Sequence, residues 1–202
     1  RARPALGVTA EEIIAAKPRL LLTGNLASSG TNAALAKAGV PMRTFGVPAT
    51  VADSISQVQA VATAVGHPRA GQRLAADIAA AAKPATTPPN RSAIIWQTGG
   101  FVAGKGTLQD ELLARAGFIN ASGQFGLQQW DVLPLETLVR RPPDIIFMPT
   151  TATGEDVRAL AARQRLLRHL GGRTRIVSFP DRLLFCGGPT IIEAMGVLRS
   201  AV

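Results

Sequence analysis

The feature that most constrains this chain is a regular exchange between two hydrophobic periods. Short aliphatic runs bounded by proline or glycine, "PRLLLTG" (18–24), "SAIIWQ" (92–97), "PDIIFMP" (143–149) and "RIVSFP" (175–180), alternate with longer stretches of helical spacing. In residues 50–66 the helical stripe is Val51, Ile55, Val58, Val61, Ala62 and Val65, closed by Gly66. Compact apolar runs between turn signals read as buried strands, and strands that alternate with helices imply a parallel sheet covered by helices on its faces.

The exchange occurs twice. "TNAALAKAG" (31–39) reads as a helix with Gly39 at its end and "PMRTFGV" (41–47) as the next strand, which completes a β-α-β unit with 18–24. "RAGQRLAADIAAAAK" (69–83) is an alanine-rich helix, and the proline-rich "PATTPPN" (84–90) marks a boundary. Beyond it, "TLQDELLARAG" (107–117) reads as a helix with Thr107 as N-cap and Gly117 after its end. Further helices are expected at 135–141, at 155–171 and, after Pro189, at 190–202. One step is written almost identically in both halves. In "EEIIAAKPRLLL" (11–22) and "ETLVRRPPDIIF" (136–147) a glutamate is followed by two aliphatics, a basic residue, a proline seven positions after the glutamate, and an apolar run. The reading is an α/β chain of two Rossmann-like lobes with parallel sheets, divided as 1–68, a connecting segment 69–91, and 92–202.

A chain of 202 residues with 47% hydrophobic content can bury a core of this kind. Its charge of +9 and pI of about 11.3 suit an anionic partner. The basic residues are scattered, however, and with no tyrosine the aromatic interleaving of a nucleic-acid surface is missing, so no nucleic-acid partner is expected. One cysteine, Cys186, rules out an internal disulfide. No apolar run is long enough to span a membrane, and "RARPALGV" lacks the apolar core of an export signal.

Motifs for chemistry are few. "GGFVAGKGT" (99–107) follows a strand and precedes a helix, with Gly99, Gly104 and Lys105 at phosphate-loop spacing, but Gly106 stands where a metal-binding Ser or Thr is required. It reads as a flexible strand-to-helix turn at the carboxyl end of a strand, where open α/β sheets bind ligands. His67 lies in a Gly-His-Pro turn and His169 on an arginine-rich helix, and both read as solvated surface residues. Cys186, before Gly187 and Gly188, reads as a small buried thiol in a tight turn. No metal-ligand spacing occurs, so neither a resident metal nor a cofactor is expected.

Five segments in order, "TAEEIIAAKPRLLL", "AGVPMRTFGVPATVADSISQVQAVATAVG", "GKGTLQDELLARAGFINAS", "WDVLPLETLVRRPPDIIF" and "CGGPTIIEAMGVL", resemble the periplasmic substrate-binding proteins of ABC importers for cobalamin, ferric siderophores and heme. The resemblance implies two α/β lobes joined by a single helix, here 69–83, with ligand in the cleft between them. It also implies a leading segment, carrying the first strand and helix of the N-terminal lobe, that these residues lack, so either the chain is a fragment or a trimmed product, or its N-terminal lobe is abbreviated. By position it maps two permease-docking carboxylates onto Glu11 and Glu136, although glutamate also suits any helix first turn. It places Trp130 against the ligand, with Phe101, Gly104 and Lys105 at the mouth of the second lobe, Phe185 and Cys186 on its last strand-to-helix loop, and Gly24 and Asn25 on the first lobe.

The expected function is that of a monomeric, non-enzymatic periplasmic protein that captures a small-molecule metal chelate and delivers it to an ABC permease at the inner membrane. Ala5, where cobalamin binders of the family carry a second tryptophan, weakens cobalamin, and the absence of tyrosine argues against tyrosine-ligated heme. The basic excess and Lys105 fit a ferric siderophore. Two further classes stay open: an enzyme using 99–107 to hold a phosphate, and a lobe pair that binds only another protein.

Overall fold

A computed structural model describes residues 9–24, 29–87, 89–97, 100–149, 161, 172–183 and 187–202. The chain divides into two compact units, Arg1–Val47 and Pro48–Val202. The expected helix at 155–171, except for residue 161, lies outside the described residues together with Ala5, Asn25, Gly99, His169, Phe185 and Cys186.

In the first unit, helix α1 (Ala10–Ala16) starts at Thr9, whose hydroxyl accepts the Glu12 amide. It stops at Lys17, which takes the left-handed conformation ahead of Pro18. Strand β1 (Leu21–Gly24) follows, then α2 (Ser29–Lys37) and β2 (Met42–Phe45). The two strands pair in parallel, from Leu21 opposite Met42 to Gly24 opposite Phe45. Leu35 of α2 is buried in this unit.

The second unit opens with two helices, α3 (Val51–Ala64) and α4 (Pro68–Ala81). Thr50 and Asp53 form a reciprocal capping box on α3. Next come β3 (Arg91–Ile95), β4 (Phe101–Ala103), α5 (Leu108–Ala116), β5 (Phe118–Asn120), β6 (Trp130–Val132), α6 (Leu135–Arg140), β7 (Ile145–Met148), β8 (Arg175–Ser178) and α7 (Thr190–Arg199). The parallel sheet has the order β5-β3-β7-β8. Alternate residues of its central strands feed two cores. Ala93, Ile95, Ile145 and Phe147 join Val51, Ile78, Leu113, Met195 and Leu198 on one face, while Ile94, Trp96, Ile146 and Met148 join Val102, Leu133 and Leu138 on the other. Burial on both faces explains why these strands read as unbroken aliphatic runs. Phe118, Phe147 and Phe179 run edge to face through the first core, with centroids 5.6 and 6.0 Å apart.

The expected 69–83 helix forms as α4, but it packs against α3 within the second unit. The compact second unit therefore begins at Pro48, ahead of the expected connecting segment, because Val51 of α3 belongs to the same core as Ile78 and Leu113. Glu111 ties the packing together: its carboxylate accepts the Val51 amide at 2.7 Å and pairs with Arg115, whose guanidinium reaches the Ala82 carbonyl. The duplicated glutamate-to-proline step is a helix-to-strand step in both units, α1 into β1 and α6 into β7.

Candidate functional site

Within the loop expected to be a flexible strand-to-helix turn at 99–107, residues 101–103 form instead one strand of an antiparallel ribbon, a correction that the pairing makes explicit. Phe101, Val102 and Ala103 of β4 stand opposite Val132, Asp131 and Trp130 of β6. The turn that leads into it is closed by the Gln97 amide on the Phe101 carbonyl at 2.8 Å and the Gly100 amide on the Gln97 carbonyl at 3.0 Å. Gly100 has φ +84°, a conformation that glycine adopts without penalty. Val102 points into the second core, and an isolated bridge joins it to Trp96 at the end of β3. The ribbon thereby sits beyond the carboxyl end of the central strand.

Facing residues of an antiparallel pair share a side, as do residues two apart. Phe101, Trp130 and Val132 therefore lie on one face of the ribbon, and they are 48%, 43% and 45% exposed. A single exposed apolar side chain means nothing, but three together on one face of a ribbon form a platform. Phe101 and Trp130 are two of the residues expected at the ligand, and the register brings them together. Val132 was missed, although the alternation in "WDV" (130–132) is its only trace in the sequence.

Gly104 is buried at the end of β4. Its amide donates to the Gln129 carbonyl at 2.6 Å, and a β-carbon there would stand 2.1 Å from the Gln128 carbonyl oxygen. The residue that was expected at the ligand thus lets the two strands approach. Lys105 is exposed, with its stem across the 3-10 turn Ala121–Phe125, where a β-carbon on Gly123 would lie 3.1 Å from Lys105 Cε. Thr107 is the N-cap of α5, as expected: its hydroxyl donates to the Gly104 carbonyl at 2.8 Å and accepts the Asp110 amide at 3.2 Å. The Gly106 amide donates to Asp110 Oδ2 at 3.0 Å. A carboxylate of the protein itself holds the place that a phosphate would need, and the Thr107 hydroxyl is engaged, which disfavours the phosphate-loop reading.

The remaining candidates are dispersed. Gly24 ends β1 in the first unit. Glu11 and Glu136 are exposed, each in the first turn of its helix, α1 and α6. His67 is an exposed residue before α4. Among the described residues no group of three His, Cys, Asp or Glu side chains can hold a metal ion, and no helix is long and apolar enough to cross a membrane.

The perturbed ionisations lie away from the ribbon. Asp144, at the amino end of β7, accepts both the backbone amide and the hydroxyl of Ser92 at 2.6 and 2.8 Å. The amide first and the hydroxyl second hold its carboxyl below the ordinary value of 3.8. Exposed Arg182 and Glu193 form a bidentate pair whose hydrogen bonds raise the guanidinium and lower the carboxyl. Both groups act on structure, since neither adjoins the ribbon in the chain or in the sheet.

Comparison with known proteins gives a consistent picture. A family model described as periplasmic binding protein matches residues 2–170. No curated protein matches the chain. The solved structure of the periplasmic heme-binding protein RhuT from Roseiflexus sp. RS-1 is 27% identical with a TM-score of 0.71, covering 96% of this chain and 80% of that one. The periplasmic heme-binding protein BhuT in complex with two hemes is 24% identical with a TM-score of 0.72, over 95% of this chain and 77% of that one. HutB of Vibrio cholerae, a periplasmic heme-binding protein, is 18% identical with a TM-score of 0.74, over 96% and 80%.

Proposed function

The chain belongs to the periplasmic binding protein family, and from that premise we propose that it captures a planar metal chelate on the β4–β6 ribbon and delivers it to an ABC permease. A tetrapyrrole of the heme type is the ligand this reading puts first. The observation that carries it is the shared exposed face of Phe101, Trp130 and Val132. Aromatic and branched side chains on a fixed backbone suit a flat, largely apolar ring, because stacking needs a surface already in place. Lys105, next to the ribbon, supplies a positive charge for a carboxylate on the ring edge. These 202 residues contain no tyrosine, so the reading asks ring-face contact, rather than a tyrosinate on iron, to supply affinity. RhuT, at 27% identity, lends the ligand class support.

A ferric siderophore is the second reading, favoured by Lys105 and the charge of +9. Corrinoids complete the set. Hemin, a ferric hydroxamate, a ferric catecholate and cobalamin should each be titrated against the protein, following the absorption of the chelate and the tryptophan fluorescence. Saturable one-to-one binding of hemin that weakens in Trp130→Ala supports the first reading, binding of a siderophore alone selects the second, and silence from all four refutes both. Delivery is proposed to use Glu11 and Glu136. Their replacement by alanine should lower ligand-stimulated permease ATPase activity and leave ligand affinity unchanged.

A further inference from the structure

The ribbon carries the proposed ligand face, yet its own strands are three residues long and one of them is followed at once by a buried glycine. Two short strands hold a fixed geometry only if something else fastens them. A side-chain brace does so here. Asn120, the last residue of β5, donates through Nδ2 to the Ala103 carbonyl at 3.1 Å and to Asp110 Oδ1 at 2.8 Å. Its own Oδ1 accepts the Ser122 amide at 3.0 Å. Asp110 in turn holds the Gly106 amide with its other oxygen. Ala103 is the residue paired with Trp130, so the brace grips β4 at the position that faces the indole-bearing residue.

We propose that Asn120 is a positioning residue for ligand binding: without touching ligand, it holds the Ala103 carbonyl and keeps Phe101, Trp130 and Val132 on one surface in the free protein. The proposal rests on the ribbon being the ligand platform. The physical reason is that a binding-competent conformation populated only part of the time lowers apparent affinity by that fraction. A second link, from Asn120 to Asp110, fastens the brace to α5 and serves the fold whether or not a ligand binds.

The two links can be separated. Asn120→Asp removes the donor to Ala103 and sets two carboxylates against each other. Adding Asp110→Asn restores a hydrogen bond between positions 120 and 110 and leaves the carboxamide oxygen for the Gly106 amide, while the Ala103 carbonyl still lacks its donor. The experiment compares wild type, Asn120→Asp and the double variant by thermal melting, hemin titration and amide hydrogen exchange of segments 100–104 and 129–133. The expected result is a melting temperature that falls and then recovers in the double variant, hemin binding at least tenfold weaker in both, and faster exchange of both segments in both. Affinity that returns together with the melting temperature overturns the proposal and leaves Asn120 a purely structural residue. Should both variants fail to fold, Asn120→Ser, which loses both links, is compared with Asp110→Ala, which loses only the link to α5: hemin binding at least tenfold weaker in Asn120→Ser than in Asp110→Ala is expected, and equal binding overturns the proposal. Should wild type bind no hemin, the heme reading fails by itself, and the exchange measurement still decides the brace: unchanged exchange in the double variant overturns it.

Discussion

Gly104→Ala gives the sharpest test of the ribbon, because its effect follows from one distance. The added β-carbon would lie 2.1 Å from the Gln128 carbonyl oxygen and 2.7 Å from the carbon bonded to it. Backbone cannot rotate aside as a side-chain terminus does, so β4 must move from the 128–129 segment and the 2.6 Å bond between the Gly104 amide and the Gln129 carbonyl must lengthen or break. Overpacking of this kind costs about 1–3 kcal/mol, and the lost hydrogen bond about 1 kcal/mol more. Against this, alanine restricts the unfolded chain and returns roughly 0.4–1 kcal/mol. The net loss is about 1–3.6 kcal/mol, or a fall of roughly 2–14 °C in the melting temperature of a unit of this size. Gly123→Ala is the matched control. Its β-carbon meets only the end of the flexible Lys105 side chain, Cε at 3.1 Å and Nζ at 3.8 Å, so the change should stay within about 0.5 kcal/mol. Differential scanning calorimetry of both variants reads the difference, and the hemin titration should weaken for Gly104→Ala. Equal melting temperatures for wild type and Gly104→Ala would refute the reasoning, since the ribbon would then not need the close approach.

Other sites yield further expectations. Trp130→Ala should weaken hemin binding about tenfold, the equivalent of roughly 1.4 kcal/mol and the upper range for an aromatic contact, with the melting temperature unchanged because the indole is largely outside the core. Ser54→Ala should destabilise the second unit by about 1–3 kcal/mol. The buried Ser54 hydroxyl accepts the Gly188 amide, and the variant leaves that donor unpaired; a lower denaturant midpoint with an unchanged slope is the expected readout. For Asp144 the sign follows from its lowered carboxyl. The folded state binds fewer protons than the unfolded one, so the contribution is complete above the ordinary value of 3.8 and is lost as pH falls through the lower folded value. Asp144→Asn should therefore differ most from wild type near neutrality and converge with it in acid, as urea midpoints at a series of pH values would show.

How much of this was legible in the sequence depends on what each residue answers to. Thr107 and Gly117 were recognised as the two ends of α5 because caps are local: Thr107 meets Asp110 three residues on, and Gly117 takes φ +95° by itself. The buried strands β3 and β7 were recognised because burial on both faces leaves an aliphatic run that no surface element needs. The α/β class followed from those runs, and the family match and the solved structures agree with it. The ribbon escaped because strands of three residues carry too little alternation to register, and because its two halves are joined by pairing across the whole of α5 and β5. Gly104 shows the difference most clearly. In the sequence it belongs to a glycine-rich loop, and such a loop suggests space for a ligand. In the fold that space is filled by the carbonyl of Gln128, which arrives from a distant segment.

The same contrast explains why Asn120 carried no signal. As "FINAS" (118–122) it ends a short strand and precedes a turn, a position where asparagine is unremarkable on local grounds. Its local role, capping the Ser122 amide, would be satisfied by serine or aspartate. Only the carboxamide has a donor for the Ala103 carbonyl and the Asp110 carboxylate together with an acceptor for Ser122. A residue whose local duty many types could perform, but whose distant partners admit one chemistry, is a sound place to look for function in a chain of this family. The ligand face and the brace on β4 are thus separable by mutation, Trp130 acting on the ring and Asn120 on the geometry that presents Trp130. If the two acted through one mechanism, combining Trp130→Ala with the Asn120→Asp/Asp110→Asn pair would add nothing to the loss from Trp130→Ala. If they act in series, as the hydrogen bonds imply, the remaining contacts of Phe101 and Val132 still depend on the brace, and the combined variant binds hemin more weakly than Trp130→Ala by a further measurable factor.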